Sequence, residues 1–217
     1  GLQQVEALAR ARGIALAVLP ADGWEDGRLD AASTVAIPVL RDLARLCDAG
    51  GADAAQAALA LLARTAELVD APAREGALLP LVGGWHPQLG IVDPEAFPRD
   101  PDRPLVLILF YRSYLTAHDL DPFAALHAAC ERRGFAALSI FAPSLKAPEA
   151  RERIDRWVRS LSPAAIVNAT AFSARGESGD TPLDGAGVPV LQLALATASR
   201  TGWAATSRGL SPADLAM

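Results

Sequence analysis

The sequence predicts an α/β protein in which a parallel β-sheet is flanked by helices and a mostly helical part comes first. From Leu105 onwards, short apolar runs alternate with amphipathic helical segments, whereas the residues before position 80 place most of their apolar side chains at helical spacing. Alternation of strand and helix is typical of parallel sheets with helices on their faces. We therefore expect a flavodoxin-like or Rossmann-like arrangement.

The first region, residues 1–79, is predicted as a mostly helical α/β part. Its first helix stops at Gly13, and the apolar run Ile14–Leu19 that follows is predicted as a buried parallel strand. After a turn-rich stretch, one helix is expected to begin near Ser33 and another to cover about Ala54–Val69.

The second region, residues 80–104, is predicted as a semi-rigid connector. Proline removes a backbone donor and disrupts both helices and central strands. This stretch is too rich in proline for regular structure, with Pro80, Pro87, Pro94, Pro98, Pro101 and Pro104.

The third region, residues 105–217, is predicted as a flavodoxin-like α/β domain that is truncated at its C-terminus. Its helices are expected at Pro122–Arg133, with Asp121 as the cap, and at Pro148–Leu161. Four strands are expected to share one parallel sheet on which these helices pack, at about 105–110, 136–141, 164–168 and 188–192.

Both ends of the chain predict a fragment of a longer polypeptide. A helix that feeds a parallel strand usually completes a unit whose first strand lies upstream. Near the other end, Ser211, Pro212 and Asp214 have the pattern of a helix start, yet the sequence stops at Met217.

Composition restricts the class of protein. Hydrophobic residues make up 51% of the chain and charged residues 21%, which is not the composition of a disordered segment. A net charge of −5 with no basic cluster argues against nucleic-acid binding.

No apolar run approaches the roughly 18 residues of a membrane span, and no signal peptide is evident. We therefore expect neither membrane association nor secretion and place the protein in the cytoplasm. Cys47 and Cys130 are expected to be reduced thiols.

The candidate binding site follows from the predicted sheet. In open parallel sheets, ligands bind beyond the carboxyl ends of the strands. The loops at those ends are rich in hydrogen-bond donors, and Arg112 and Lys146 would suit a substrate that bears carboxylates. The structural alternative is that the polar residues after the third strand only satisfy backbone groups in a tight turn. The candidate substrate-binding residues are Tyr111, Arg112, Ser113, Lys146, Asn168, Thr170 and Ser173.

Other chemical signals are weaker. His118 and Asp119 could contribute to a metal site, but one histidine with one carboxylate is too few ligands, and His127 is expected to be packed or exposed within its helix. Gly83–Pro87 suits a connector better than a ligand site. The sequence has no GxxxxGK[ST], GxGxxG or GxSxG motif, so ATP binding by a P-loop is excluded, and catalytic residues stay unknown.

Five segments of the third region and two of the first carry a family resemblance. Those of the third region are Pro104–Leu115, Ser144–Lys146, Ile166–Ser173, Val188–Gln192 and Ser207–Met217. Those of the first region are Ala32–Val35 and Gly50–Gly51. Together these segments resemble a known family, the large subunits of aerobic cobaltochelatase (CobN) and magnesium chelatase. The two segments of the first region resemble the cobalt enzyme more than the magnesium enzyme.

The resemblance implies a role in ATP-dependent metal insertion during cobalamin biosynthesis. In that role the large subunit binds the corrinoid precursor hydrogenobyrinic acid a,c-diamide, and cobalt is its substrate ion. Separate AAA-type subunits hydrolyse ATP, which agrees with the missing P-loop, and no cofactor is expected in this piece. Arg112 could pair with a carboxylate of the macrocycle and Asn168 with an amide. The isolated fragment is expected to be inactive.

Two other interpretations stay open at this point. One is the large porphyrin-binding subunit of magnesium chelatase, which acts on a different metal and macrocycle. The other is a non-enzymatic scaffold domain that docks the ATPase partners.

Overall fold

The computed structural model describes residues 1–21, 24–70, 79–170, 179–196, 198–205 and 207. The chain forms two compact units. The first consists of Gly1–Pro80 with Thr116–His118, and the second consists of Leu81–Leu115 with Asp119–Met217. No helix in the described ranges is both long enough and apolar enough to cross a bilayer.

The first unit is helical. The third helix has apolar residues at helical spacing, and Leu40, Leu43 and Leu46 on that face are buried. This helix packs on the fourth helix, whose buried residues are Ala54 and Ala57. The helices among its described residues are α1 (Leu2–Arg12), α2 (Gly27–Ala32), α3 (Ile37–Ala49) and α4 (Gly51–Thr65).

Gly50 makes the tight connection between α3 and α4. Its φ of 66° lies in the left-handed region that glycine tolerates best. A Cβ at this position would lie 2.6 Å from the Thr116 Cβ, so a larger residue would require Thr116 to move. The single-residue turn therefore depends on glycine for both conformation and space.

The predicted strand at Ile14–Leu19 is wrong, because this segment joins no sheet in the described structure. It pairs instead with the loop before α3. The Leu16 N–H donates to Thr34 Oγ1 at 2.7 Å, and the Val18 N–H donates to Ser33 Oγ at 2.9 Å. Because the Ser33 and Thr34 side chains accept hydrogen bonds from this extended segment, the helix expected near Ser33 begins only at Ile37.

The second unit is built on a six-stranded sheet within the described residues. The strand order is β2-β1-β4-β3-β5-β6, and β3 pairs in parallel with both β4 and β5, which pairs in parallel with β6. The predicted parallel arrangement of the last four strands is thereby confirmed. The strands are β1 (Gly83–His86), β2 (Gly90–Val92), β3 (Leu105–Tyr111), β4 (Ala136–Ala142), β5 (Ala165–Asn168) and β6 (Val190–Gln192).

Helices cover both faces of this sheet. On one face, Ile154 and Val158 are fully buried with Leu109 of β3. On the other face, the Phe123 ring stacks on Phe110, the next residue of β3, with ring centroids 4.1 Å apart. The helices of this unit are α5 (Arg112–Thr116, of which Thr116 belongs to the first unit), α6 (Asp121–Glu131), α7 (Pro148–Leu161) and α8 (Arg200–Ala204). The N-cap of α6 is Leu120, and Asp121 is its first residue rather than its cap.

The prediction that residues 80–104 lack regular structure is wrong. They contain the β1–β2 hairpin, and β1 extends the sheet by antiparallel pairing with β4, with Trp85 opposite Ser139. The prolines do not prevent this, because Pro87 lies in the turn and Pro94 in a 3-10 turn after β2, where neither removes a ladder hydrogen bond. The sheet is therefore mixed, with an antiparallel edge on a parallel core.

Candidate functional site

The order of the parallel strands creates a topological switch point. The strand that follows β3 in the chain, β4, lies on one side of β3, and the next strand, β5, lies on the other side. Leu109 of β3 stands beside Asn168, the last residue of β5. Because the connections leave β3 and β5 in different directions, a crevice is expected at their carboxyl ends.

Three of the predicted site residues lie at the end of β3. Tyr111 is the last residue of the strand, and Arg112 and Ser113 begin α5. Tyr111 and Arg112 are half-buried and Ser113 is exposed. Each of the three interacts with other groups of the protein through a hydrogen bond or another polar or ring contact. The structure therefore brings them to the switch point, where the sequence predicted a binding site.

Two further predicted residues, Asn168 and Thr170, are buried at the end of β5. Asn168 Oδ1 accepts hydrogen bonds from the Thr170 hydroxyl at 2.8 Å and from the Thr170 N–H at 3.2 Å. The Asn168 amide donates to Gln192 Oε1 at 2.9 Å, and the Gln192 amide donates to the Thr170 carbonyl at 2.6 Å. These three residues form a closed hydrogen-bond ring that holds Thr170 against the ends of β5 and β6.

This ring identifies a residue that the sequence analysis missed. Gln192 ends β6 directly opposite Asn168 in the parallel register. The sequence predicted β5 and β6 as two apolar runs, but it does not give the register between them, so it could not place Gln192 opposite Asn168. The ring also favours the structural alternative for Asn168, because its side-chain oxygen already binds Thr170 and its amide N–H already binds Gln192.

The last two predicted site residues have different positions. Lys146 is exposed on the β4 side of β3, in a turn where its backbone N–H donates to Ser144 Oγ at 3.1 Å. Its ammonium group therefore lies in a loop at the carboxyl edge of the sheet. Ser173 lies outside the described residues, as does the helix start predicted at Ser211.

A buried histidine pair is the second polar cluster of this unit. His127 of α6 is 1% exposed, and its Nε2 lies 2.9 Å from the Ser139 Oγ of β4. Its Nδ1 has no hydrogen-bond partner among the described residues. The His86 ring lies edge-to-face with the His127 ring, with centroids 5.1 Å apart. The sequence had suggested only that His127 is packed or exposed.

The environment keeps this pair neutral. Burial, and then the proximity of His86, lowers the pKa of His127 to about 4. Burial also lowers the pKa of His86, and the nearby Glu131 opposes that shift. No group of three histidine, cysteine or carboxylate side chains in the described part of the chain is arranged to hold a metal ion.

Comparison with known proteins gives the family. The family model described as CobN/Magnesium Chelatase matches residues 44–217, most of the chain. The chain belongs to the CobN/Magnesium Chelatase family. The resemblance predicted from the sequence segments is thereby confirmed.

Two curated relatives in the CobN/Magnesium Chelatase family are named "Aerobic cobaltochelatase subunit CobN". The protein from a Sinorhizobium species is 30% identical over 229 residues, and the protein from Pseudomonas aeruginosa is 31% identical over 223 residues. Each alignment covers 100% of this chain but only 18% of the relative. The chain thus spans about a fifth of the length of these curated relatives.

A solved structure supports the fold. The structure titled "Catalytic Subunit of Cobaltochelatase from Mycobacterium tuberculosis" matches with a TM-score of 0.72 and 24% sequence identity. The match covers 99% of this chain and 18% of that chain. The match supports the α/β fold of the described residues.

Proposed function

We propose that this chain is part of the large subunit of an ATP-dependent cobaltochelatase and contributes to binding the corrinoid precursor hydrogenobyrinic acid a,c-diamide. The observation that supports this role best is the switch point between β3 and β5, because it places Arg112 and the Asn168 loop at one edge of the sheet. The curated relatives carry the corresponding name.

The chemistry of this edge suits a macrocycle fringed with carboxylates and amides. Arg112 can bind a carboxylate through two parallel hydrogen bonds, and Lys146 offers a second cation on the other side of β3. Tyr111 and Ser113 add hydroxyl groups, and the Thr170 hydroxyl, which donates to Asn168 Oδ1, keeps its capacity to accept. Ser173 completes the proposed set from the sequence.

The division of labour in the complex is also part of the proposal. Cobalt is the substrate ion of the whole enzyme, and separate AAA-type subunits bind and hydrolyse ATP in the cytoplasm. The absence of a P-loop motif from the sequence supports this division. This chain carries no cofactor of its own in the proposal, and the catalytic groups for metal insertion come from the rest of the subunit.

A second candidate function is a scaffold domain that docks the ATPase partners without touching the macrocycle. It is favoured by the ring of Asn168, Thr170 and Gln192, in which the polar groups bind one another. Polar groups that bind one another in this way are not needed by a small-molecule ligand.

A tetrapyrrole titration of the full-length subunit separates these functions. We expect the corrinoid to change its absorbance on binding and to bind more tightly than a porphyrin. Preferential porphyrin binding would favour the magnesium enzyme. If neither macrocycle binds while the ATPase subunits still do, the scaffold function is correct.

A further inference from the structure

The edge strand β6 has the sequence of an interior strand. Residues 188–195 read VPVLQLAL and contain no charged side chain. Strands of parallel sheets are normally apolar on both faces because helices cover both. Yet Val190 is 43% exposed and Leu191 is 58% exposed, and these neighbours point to opposite faces of the sheet. The described residues thus leave both faces of β6 open.

The outer side of β6 also presents backbone groups that can pair. The Pro189 carbonyl and the Leu193 N–H bond to β5, so the odd-numbered residues face inward. The N–H and C=O groups of Val190 and Gln192 therefore point outward. Pro189 removes a donor only from the inner side and does not block this edge.

The opposite edge of the sheet is protected in the usual way. β2 is followed directly by Asp93 and Pro94. Charges and prolines are among the devices that natural sheets use against unwanted pairing. The outer edge of β6 has no charge and keeps its outward donors, so its composition favours an occupant.

We propose that the outer edge of β6 pairs with a further parallel strand supplied by the part of the family polypeptide that lies outside these 217 residues. The strands β4-β3-β5-β6 follow the flavodoxin-like order 2-1-3-4, in which a fifth strand lies beyond the fourth. Since the chain spans 18% of its relatives, the remainder of such a subunit is long enough to supply that strand and its helices.

A second copy of the chain fits this edge less well. A symmetric dimer through β6 would pair two strands of three residues in antiparallel fashion. Such pairing would satisfy the backbone edge but would leave Val190 and Leu191 without helices on the sheet faces. A parallel strand with its connecting helix covers both the edge and a face.

Amide hydrogen exchange on the full-length subunit tests this proposal. We expect the Val190 and Gln192 amides to exchange at least about 100-fold more slowly than in an unstructured peptide, because they are paired. The Leu193 amide, which donates to the Asn168 carbonyl at 2.8 Å, is the matched inward-facing control in the same strand. Exchange of Val190 and Gln192 at the unstructured rate while Leu193 stays protected would overturn the proposal.

Crosslinking identifies the occupant. A photoreactive benzoylphenylalanine in place of the exposed Leu191 should crosslink within one polypeptide, to a segment outside residues 1–217. The same group at Leu89, which is 55% exposed near the opposite edge, should not capture that segment. A crosslink from position 191 that doubles the molecular mass would mean that a second copy covers β6, and the proposal would be wrong.

Discussion

Asn168 and Gln192 stand opposite each other on neighbouring parallel strands, and the Asn168 amide donates to Gln192 Oε1 at 2.9 Å. The pair closes through Thr170, which donates to Asn168 and accepts from Gln192. Because Asn168 is buried, loss of this ring leaves polar groups of the loop without partners. Thr170, at the proposed binding edge, is therefore held by side chains from two strands.

The ring should contribute measurably to stability. We expect Asn168→Ala to lower the free energy of unfolding by about 1–3 kcal/mol, because Thr170 and Gln192 both lose a partner, and Gln192→Ala to lower it by about 1 kcal/mol. Urea unfolding of the 217-residue chain measures both. Gln88→Ala removes an exposed glutamine side chain and serves as the control. A loss for Asn168→Ala no larger than the control's would show that the ring is not stabilising.

The buried histidine pair predicts a pH dependence of stability. The pKa of His127 falls from its ordinary value of 6.5 to about 4 in the folded protein. Between these values the unfolded chain binds more protons, so stability is complete above about pH 6.5 and is lost as the pH falls towards 4. The shift corresponds to at most about 3 kcal/mol.

Unfolding measurements at pH 7 and pH 4.5 test this dependence. His127→Gln keeps a group that can bond to Ser139 but cannot be protonated, so it should reduce the difference in stability between the two pH values. His118 is exposed, and His118→Gln is the matched control that should leave the difference unchanged. An unaltered pH dependence in His127→Gln would assign the effect to other groups.

The contact between α6 and the sheet depends on one aromatic pair. Phe123→Ala should destabilise the protein by about 3–5 kcal/mol, since it leaves a cavity against Phe110 in the core. Thermal unfolding checks this value, with Leu89→Ala as an exposed control in the same unit. A change of less than about 1 kcal/mol would mean that this interface is not part of the core.

The sequence was informative where structure follows from local pattern. The apolar runs at 105–110 and 164–168 predicted parallel strands, because strands buried on both faces are apolar throughout. The sequence was less informative where a strand depends on a distant partner. Gly83–His86 joins the sheet by pairing with β4, which lies more than 50 residues further along the chain. Ile14–Leu19, which has a strand-like sequence, finds no sheet to join in the described structure.

In the candidate site, too, the sequence predicted what depends on local pattern and missed what depends on distant pairing. The rule for carboxyl ends of parallel strands identified the loops at Arg112 and Asn168 without knowledge of the strand order. The role of Gln192 required the register between β5 and β6, and the His86–His127 contact required the pairing of β1 with the sheet. Neither relationship is encoded in local periodicity.

The chain on its own should not hydrolyse ATP or insert cobalt. It has no P-loop motif, and it spans 18% of its curated relatives. A phosphate-release assay with the complete complex as positive control tests the first point, and cobalt insertion followed by corrinoid absorbance tests the second. Cobalt-dependent ATP turnover by the 217-residue chain would contradict the proposed division of labour.

We propose that the switch-point edge binds the macrocycle, a claim that the corrinoid affinity of Arg112→Ala in the full-length subunit can test. Loss of a charged hydrogen bond to a carboxylate should weaken binding by about 1–3 kcal/mol, and the variant should still fold. Arg132→Ala, an exposed arginine just after α6, is the control and should leave the affinity unchanged. A lower melting temperature with unaltered corrinoid affinity in Arg112→Ala would contradict the claim and make Arg112 a structural residue.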